Sequence, residues 1–209
     1  MNHIRNTNIH VLVEGSGPQA IVLLHGWGQN AYMMKFLQDH LCGEYTVVNL
    51  DLPGFGQSEE PKCVWTIQDY AQMLEDLLKE LQIQKPILIA HSFGARIAIR
   101  YSAYHEVKQM ILTGAAGIKP RHSLVWYAKV YTYKLLKKLP IAHRMGSVDY
   151  QQASGVMRGI LVASVEEDLR PLLPRISCET LLVWGETVSY THLRKMQSIF
   201  LIIKTCRWI

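Results

Sequence analysis

The stretch that decides the fold is KPILIAHSFGARIAIR, which runs from Lys85 to Arg100. Its first half is a continuous apolar run of strand length, which is typical of a strand buried on both faces of a parallel sheet. Its second half has the pattern of an amphipathic helix, and Ser92 lies at the junction between the two. Ala90 and Gly94 stand two positions before and after this serine. The resulting small-x-Ser-x-small pattern predicts a nucleophile elbow, with alanine in the first glycine position.

A nucleophile elbow needs small residues for a steric reason. The tight turn from strand to helix holds the serine in a strained backbone conformation, and large side chains two positions away would collide. The serine oxygen is then exposed above the sheet, near a helix N-terminus that favours developing negative charge. The five-residue pattern alone occurs in many unrelated chains. Its position between a buried strand and a helix favours Ser92 as a nucleophile over a chance serine in a turn.

The rest of the chain alternates strand and helix patterns. Strand patterns occur at Ile9 to Gly15, Ala20 to Gly26, Tyr45 to Gly54, Lys85 to Ser92, Val107 to Ala115 and Glu179 to Glu186. Helix patterns occur at Ala31 to Leu41, Thr66 to Ile83 and Phe93 to His105. In the second of these helices the apolar residues fall on one face, and Thr66 with Asp69 predicts an N-terminal cap. This alternation predicts an α/β fold with a mostly parallel sheet and helices on both faces.

The composition is that of a globular protein. The 209 residues are enough for one domain with a core, and 49% of them are hydrophobic against 19% that are charged. The net charge of +5 is modest, and without a dense Lys/Arg block it does not indicate a nucleic-acid-binding protein. The four cysteines are scattered without metal-ligand spacing, so we expect reduced thiols, a cytoplasmic location and no metal. We recognise no signal peptide and no run that could span a membrane.

Two other segments accompany the elbow. LLHGWGQN spans Leu23 to Asn30, and NLDLPGFGQSEEP spans Asn49 to Pro61. Together with IAHSFGARIAI, from Ile89 to Ile99, they occur in the order and context found in one family. The chain resembles the α/β-hydrolase superfamily between Ile9 and Glu186, and within it the lid-bearing, single-domain branch of small-molecule hydrolases. This resemblance implies a mostly parallel α/β-hydrolase sheet, with helices on both faces and a helical lid insertion.

The resemblance also assigns roles around the reacting group. In the family, one oxyanion-hole donor is the backbone N–H after His-Gly and the other is that of the residue after the nucleophile, which here are Trp27 and Phe93. Loss of one such donor costs roughly 10²–10³ in rate. The implied reaction is attack by Ser92 on an ester, amide or related carbonyl small molecule, through an acyl-enzyme and without a cofactor. A serine here argues against dehalogenases and epoxide hydrolases of the same fold, which use aspartate.

Three titratable residues near these motifs are not expected to act in catalysis. His25 resembles the family's loop histidine, which is structural. His91 is the variable residue of the elbow, so its side chain should leave the turn in a different direction from that of Ser92. Asp51 resembles a residue that shapes a loop beside the active site, and we do not expect it to be the triad acid.

The resemblance also suggests domain boundaries. We expect residues 1–117 to form the first part of the hydrolase core, 118–170 a helical lid with its return helix, 171–187 the resuming core strand, and 188–209 an atypical tail. The segment between Val107 and Val148 contains eight Lys/Arg and no Asp/Glu. Its basic side is expected to face solvent. The alternatives are that it attracts an anionic substrate or an anionic membrane surface.

The acid and base of a catalytic triad are not identified in this sequence. In this fold the chain order is serine, acid, histidine, and the acid normally follows the strand that here ends in Trp184-Gly-Glu. No aspartate occurs after Asp168. His192, the one later histidine, lies too close to the strand end and lacks the family's loop context. Glu186 occupies a position that the family fills without a catalytic role.

The segment after Glu186 departs from the family pattern. VSYTHLR, from Val188 to Arg194, resembles a peptide found at the ends of many unrelated predicted proteins, where adapter-derived DNA has been translated. We therefore expect the natural protein to continue beyond Glu186 with an aspartate and a histidine that this sequence lacks, and this chain itself to be inactive. The alternative is a non-catalytic binding protein on the same fold, which keeps the pocket without the triad.

Overall fold

The computed structural model describes residues 1–118 and 148–184, together with the backbone of 206–208. The strands are β1 (Asn2–Ile4), β2 (Thr7–Ile9), β3 (Val11–Glu14), β4 (Ala20–Leu24), β5 (Thr46–Leu50), β6 (Ile87–His91), β7 (Gln109–Thr113), β8 (Glu179–Val183) and β9 (Cys206–Trp208). The α-helices are α1 (Lys35–Leu41), α2 (Ile67–Glu80), α3 (Phe93–Ser102), α4 (Val148–Gln152) and α5 (Gly155–Glu166). Within the described ranges, 3₁₀ helices lie at Ala31–Met34 and Arg170–Arg175.

Within the described residues, a seven-stranded sheet has the order β3-β5-β4-β6-β7-β8-β9. β3 pairs with β5 antiparallel, and every other neighbouring pair in this sheet is parallel. The prediction of a mostly parallel α/β sheet is therefore confirmed. The chain passes from β4 to β5 on one side and then crosses to β6 on the other, so the strand order reverses at β4. In open α/β sheets, ligands bind outside the carboxyl ends of the strands at such a switch point.

The continuous apolar runs form strands that are buried on both faces. In β4, Val22 and Leu24 belong to the larger core cluster, which also holds residues of α2 and α3. Ile21 and Leu23 belong to a second cluster, against which Leu37 of α1 packs. Because successive side chains of a strand point to opposite faces, these two clusters lie on the two sides of the sheet. Helices on both faces follow from the sequence pattern of the strand itself.

Helix α2 begins where its cap was predicted. The Thr66 hydroxyl accepts a hydrogen bond from the Asp69 N–H, and the Asp69 carboxylate accepts one from the Thr66 N–H. This reciprocal pair satisfies two backbone donors that a helix N-terminus leaves without partners. The apolar face of α2 is buried as predicted, apart from Leu81, which is half-buried at the C-terminal end of the helix.

The N-terminal strand differs from its prediction. The sequence pattern predicts one strand from Ile9 to Gly15, but β2 and β3 are separate strands. β2 pairs instead with β1 in an antiparallel hairpin, whose turn residues Arg5 and Asn6 have φ values of 52° and 58°. His10 lies between the two strands, and its backbone N–H donates to Ser58 Oγ rather than to a neighbouring strand. The pattern is interrupted at His10 because a side chain takes its N–H, although its carbonyl still accepts a hydrogen bond from the Asp51 N–H next to β5.

Part of the predicted lid, residues 118–170, is described by the structure as α4 and α5. The remaining lid residues, 119–147, which include most of the basic segment, lie outside the described residues. Arg96 of α3 is 7% exposed and donates to the carbonyl oxygens of Ser164 and Glu167 at the C-terminal end of α5, at 2.5 and 3.4 Å. Burial lowers the pKa of Arg96 to about 10, so the group is still a cation at neutral pH. A cation complements the partial negative charge at a helix C-terminus.

The chain rejoins the sheet after α5. β8 lies inside the predicted core segment 171–187 and pairs with β7. β9 lies in the predicted tail and pairs with β8 in parallel, a strand that the sequence pattern does not predict. No helix in the described part of the chain combines the length and the apolar character needed to cross a bilayer.

Candidate active site

Ser92 lies where β6 ends and α3 begins, at the carboxyl edge of the sheet. Its backbone has φ 46° and ψ −100°, a conformation that residues with a side chain rarely adopt. The turn is fixed on both sides, since the Ser92 N–H donates to the Thr113 carbonyl at 3.1 Å and the Gly94 N–H donates to the His25 carbonyl at 3.1 Å. Strain of this kind persists only when the surrounding structure holds it, and it occurs often at active sites.

Gly94 is required by the close approach of α3 to β4. A Cβ atom built on Gly94 would lie 2.8 Å from the carbonyl oxygen of His25 and closer still to that of Leu24. Ala90, at the other small position of the elbow, is fully buried in β6. The close approach of β4 supplies the physical reason for glycine at position 94, and the complete burial of position 90 is consistent with a small side chain there.

Trp27 follows the His25-Gly26 pair in the loop after β4. A reverse turn shapes this loop, with the Gln29 N–H donating to the Gly26 carbonyl at 3.2 Å and Gly28 at φ 70°. The Gln29 side chain accepts a hydrogen bond from the Gly26 N–H at 3.1 Å. The backbone N–H groups of Trp27 and Phe93 therefore belong to two structured segments at the same edge of the sheet as Ser92.

Three aromatic rings join these two segments to a third. The rings of Trp27 and Phe93 meet edge-to-face with centroids 5.2 Å apart. The Phe55 ring contacts Trp27 at 4.9 Å and Phe93 at 6.0 Å, again edge-to-face. We call Trp27, Phe55 and Phe93 the aromatic triangle. Sequence reasoning found the loop that carries Phe55 but not this contact, and no local pattern indicates it because the three rings come from three different segments.

His25 is fully buried and has a partner at each ring nitrogen. Its Nδ1 lies 2.7 Å from the Gly26 carbonyl oxygen, and the Leu52 N–H donates to its Nε2 at 2.9 Å. Since Nε2 accepts a hydrogen bond, the proton of the neutral ring is on Nδ1. Burial lowers the pKa of His25, which also favours the neutral ring. With both nitrogens occupied, His25 ties the loop after β4 to the loop after β5 and is not placed to take a proton from Ser92.

His91 is held by the adjacent strand and by two glycine-containing segments. Its Nδ1 lies 2.9 Å from Thr113 Oγ1 on the adjacent strand. A Cβ atom on Gly26 would lie 2.9 Å from one carbon of this ring, and one on Gly114 would lie 3.3 Å from another. The imidazole therefore fills the space between two glycine backbones, with Nδ1 next to Thr113.

Asp51 lies directly after β5, and its carboxylate holds three other segments of the chain. Its buried carboxylate accepts hydrogen bonds from the N–H groups of Ala31 at 2.6 Å and Gln57 at 2.8 Å, and from His10 Nδ1 at 3.0 Å. A side chain at Gly56 would collide with the same carboxylate. Because these partners belong to three segments outside the elbow, the contacts of Asp51 are those of a loop-structuring residue.

The described residues do not complete a triad. In residues 1–118 and 148–184, no hydrogen bond joins the hydroxyl of Ser92 to a histidine, and no group of three His, Cys, Asp or Glu residues could hold a metal ion. Glu186 and His192 lie outside the described residues. The site as described consists of a strained serine, the backbone segments that carry Trp27 and Phe93, and the contacts that hold these segments.

This arrangement defines a class of protein, the α/β-sheet proteins with a serine at the turn between a central strand and its helix. The family described as alpha/beta hydrolase fold matches residues 19–139, which is more than half of the chain. The chain therefore belongs to the alpha/beta hydrolase fold family, as the sequence motifs indicate.

Individual relatives agree with this assignment. The AB hydrolase superfamily protein YisY of Bacillus subtilis is 37% identical over 127 residues, which cover 56% of this chain and 46% of that protein. An uncharacterized protein of Mycobacterium tuberculosis is 33% identical over 116 residues, covering 54% of this chain and 34% of that protein. Among solved structures, an esterase from Exiguobacterium antarcticum superimposes with a TM-score of 0.77 at 23% identity, covering 99% of this chain and 88% of the esterase. At that identity the likeness shows the fold alone.

The matched region is only part of these curated relatives. The alignments span about a third to a half of their length. Membership of the family follows from the match, whereas the activity and substrate of this protein need arguments from its own residues.

Proposed function

We propose that this protein is a serine-dependent hydrolase that cleaves an ester, amide or related carbonyl small molecule through an acyl-enzyme. The observation that carries the proposal is the backbone of Ser92, at φ 46° and ψ −100° between β6 and α3. A serine in this position presents its oxygen at the carboxyl edge of the sheet and at the start of a helix. Both features suit attack on a carbonyl carbon and the negative charge that then develops.

The chemistry divides into two displacements at the carbonyl carbon. Ser92 Oγ forms a bond to the carbon while a base removes its proton, and the carbonyl oxygen becomes an oxyanion. The N–H groups of Trp27 and Phe93 stabilise this charge, the bond to the leaving group breaks, and the proton passes from the base to the leaving group. Water then attacks the acyl-enzyme by the same route and releases the acid and free Ser92. No cofactor is required.

The identity of the nucleophile separates this proposal from other reactions on the same fold. Dehalogenases and epoxide hydrolases that resemble this family attack with aspartate, whereas this elbow carries Ser92. A serine ester formed on the enzyme is hydrolysed at the acyl carbon, which suits carbonyl substrates.

The alternative is a non-catalytic binding protein. The sequence favours it in one respect, because neither an aspartate nor a histidine in the family's context follows Asp168. A triad enzyme without its base loses about 10⁶ in turnover. We therefore expect the 209-residue chain by itself to be inactive or nearly so, while the strained serine favours a hydrolase ancestry.

The lid, the domain boundaries and the location are proposals of the same kind. Residues 118–170 would cover the site as a helical insertion between core segments 1–117 and 171–187, with 188–209 as an atypical tail. The contact between Arg96 and the end of α5 supports a fixed return path for this insertion. A cytoplasmic location is supported by the scattered cysteines alone.

A fluorophosphonate probe tests the nucleophile directly. The gene is first resequenced across the codons for Trp184 to Arg194 and beyond, and its verified product is expressed. We expect the probe to label one residue, Ser92, and the Ser92→Ala variant to lose both labelling and ester hydrolysis. Ser154→Ala, which changes an exposed serine at the start of α5, is the matched control and should label normally. A folded, verified protein that resists the probe would refute the hydrolase and leave the binding protein.

A further inference from the structure

We propose that Phe55 is a positioning residue of the oxyanion hole, which sets the relative placement of the Trp27 and Phe93 backbones. The inference rests on the proposed function, because it concerns the two backbone donors assigned there. It extends that function to a residue outside the elbow and outside the loop after β4. Phe55 itself contacts no reacting atom and acts through its two neighbours.

Among the ring contacts of the described residues, those of Phe55 reach both donor residues. Its ring lies 4.9 Å from that of Trp27 and 6.0 Å from that of Phe93, with interplanar angles of 79° and 61°. It also meets the His25 ring at 5.6 Å. Edge-to-face contacts have a preferred direction, so the ring constrains the orientation of its neighbours as well as filling space.

The loop that carries Phe55 is held rigidly by its own contacts. The Phe55 N–H donates to the Leu52 carbonyl at 2.9 Å, and the Phe55 carbonyl accepts from the Ser58 N–H at 3.0 Å. The Asp51 carboxylate holds the Gln57 N–H at 2.8 Å. The Tyr70 hydroxyl, on α2, donates to the Pro53 carbonyl at 2.9 Å. The position of the Phe55 ring is therefore set before any ligand arrives.

The consequence follows from what an oxyanion hole requires. Both donors must lie about 2.7–3.1 Å from the place where the oxyanion forms. Trp27 and Phe93 belong to separate segments, so their spacing depends on tertiary contacts, among which Phe55 touches both. Trp27 and Phe93 are already in contact, so without the Phe55 ring they can shift together or rotate about that contact into the space it leaves, which changes the spacing of their N–H groups. The transition state loses stabilisation, whereas the bound substrate, which carries less charge on that oxygen, is affected little.

A purely structural role predicts a different result. Phe55 is buried, at 9% exposure, and its truncation will destabilise the fold whatever its role in the site. Trp65 is similarly buried at 6% exposure and packs edge-to-face on Tyr70 at 5.2 Å. In the described structure no ring contact joins Trp65 to Trp27 or Phe93 directly, but Tyr70 contacts Phe93 at 5.2 Å, so Trp65→Leu shows how far lost packing alone, passed on through Tyr70, lowers kcat. Trp65→Leu is therefore a control for lost packing in the same core.

The experiment compares Phe55→Leu, Phe55→Tyr and Trp65→Leu in the verified gene product. We measure kcat and KM for an ester, the inhibition constant of a trifluoromethyl ketone that forms a tetrahedral adduct, and the melting temperature. We expect Phe55→Leu to lower kcat and weaken the ketone by the same factor of about ten, with KM within about twofold. Phe55→Tyr, which keeps the ring, should restore both values. Trp65→Leu should lower the melting temperature with little change in kcat.

The outcomes separate this inference from the proposed function. If the unaltered protein is labelled at Ser92 but Phe55→Leu changes kcat no more than Trp65→Leu does, the inference is wrong and the hydrolase stands. A rise in KM alone would also overturn the inference, because it indicates lost substrate binding. If the folded, unaltered protein is not labelled, the proposed function fails, and with it the role given to Phe55. Amide hydrogen exchange at Trp27 and Phe93 gives a readout without catalysis, and unchanged rates in Phe55→Leu would again overturn the inference.

Discussion

Adding one methyl group at Gly94 should distort the elbow. In Gly94→Ala, the new Cβ would lie 2.7 Å from the carbonyl carbon of Leu24 and 2.8 Å from the carbonyl oxygen of His25. Real Cβ atoms essentially never approach so closely, and both neighbours are backbone that cannot rotate away. The start of α3 must therefore move away from β4.

The magnitude of this effect can be worked from opposing contributions. Overpacking costs about 1–3 kcal/mol, and a clash with backbone on two sides belongs at the upper end. Alanine favours a helix over glycine by about 1 kcal/mol, which offsets part of the cost. The net loss of about 2 kcal/mol corresponds to a fall in melting temperature of about 4–8 °C for a chain of this size.

The assay is thermal unfolding together with the rate of Ser92 labelling by a fluorophosphonate. Labelling should slow by at least about tenfold, because the Ser92 oxygen and the Phe93 N–H both move with α3. Gly155→Ala is the matched control, since it also lies in the first turn of a helix but has no atom within 4 Å of the added Cβ. If Gly94→Ala melts and labels like Gly155→Ala, the close approach of α3 to β4 is not what the elbow requires.

Three further predictions concern the residues that support the site. Burial lowers the pKa of His25 below its ordinary 6.5, so the contribution of His25 to stability is complete above pH 6.5 and is lost as the pH falls below that value. In urea unfolding between pH 7 and 5, the free energy of unfolding should fall by up to about 1.4 kcal/mol per pH unit more steeply in the unaltered protein than in His25→Gln. Equal pH slopes of the two proteins would contradict this. Arg96→Met should lower the free energy of unfolding, measured by chemical denaturation, by about 2 kcal/mol because the C-terminal carbonyls of α5 lose a charged donor. Arg96→Lys should lose less, since it keeps the charge. An unchanged denaturation midpoint in Arg96→Met would show that the contact does not stabilise the fold. Asp51→Asn leaves one backbone N–H that donates to this carboxylate without an acceptor, which should lower the free energy of unfolding by about 1–3 kcal/mol and speed amide exchange at Ala31 or Gln57. Labelling of Ser92 should persist in this variant. A loss of labelling would instead indicate Asp51 as the triad acid.

Much of the sheet could be predicted because burial on both faces leaves a strong local signal. β4 is a continuous apolar run between two glycine-containing turns, and β6 is one between Pro86 and the elbow; such runs have few alternatives in a chain that alternates strand and helix. α2 was equally clear, since Thr66 and Asp69 mark its first residue. The hairpin of β1 and β2 left no such signal, because its strands are three residues long and its turn uses Arg5 and Asn6 where glycine is usual.

The residues that support the site could not be predicted from local sequence patterns, because their partners are distant in the chain. Ser92 and the small residues around it form one contiguous motif, so five letters of sequence indicate the turn. The residues that support the site have partners far away in the chain: those of Phe55, Arg96 and Asp51 include residues 20 to 71 positions away. The sequence next to each of these residues does not indicate those partners. Phe55 in particular occupies a loop that sequence rules describe only by its glycines and proline.

The backbone of Ser92 bears on the choice between an enzyme and a binding protein. A non-glycine residue at φ 46° and ψ −100° costs of order 1–3 kcal/mol, which glycine would avoid. A protein that only binds a ligand does not require a strained serine at this turn. It also does not require a separate loop after β4 that brings a backbone N–H to the same edge of the sheet. A nucleophile uses both, because its oxygen must stand clear of the sheet while charge develops beside it. The strain therefore favours a chain built to carry out nucleophilic attack, and the residues that supply the acid and the base decide whether it still does.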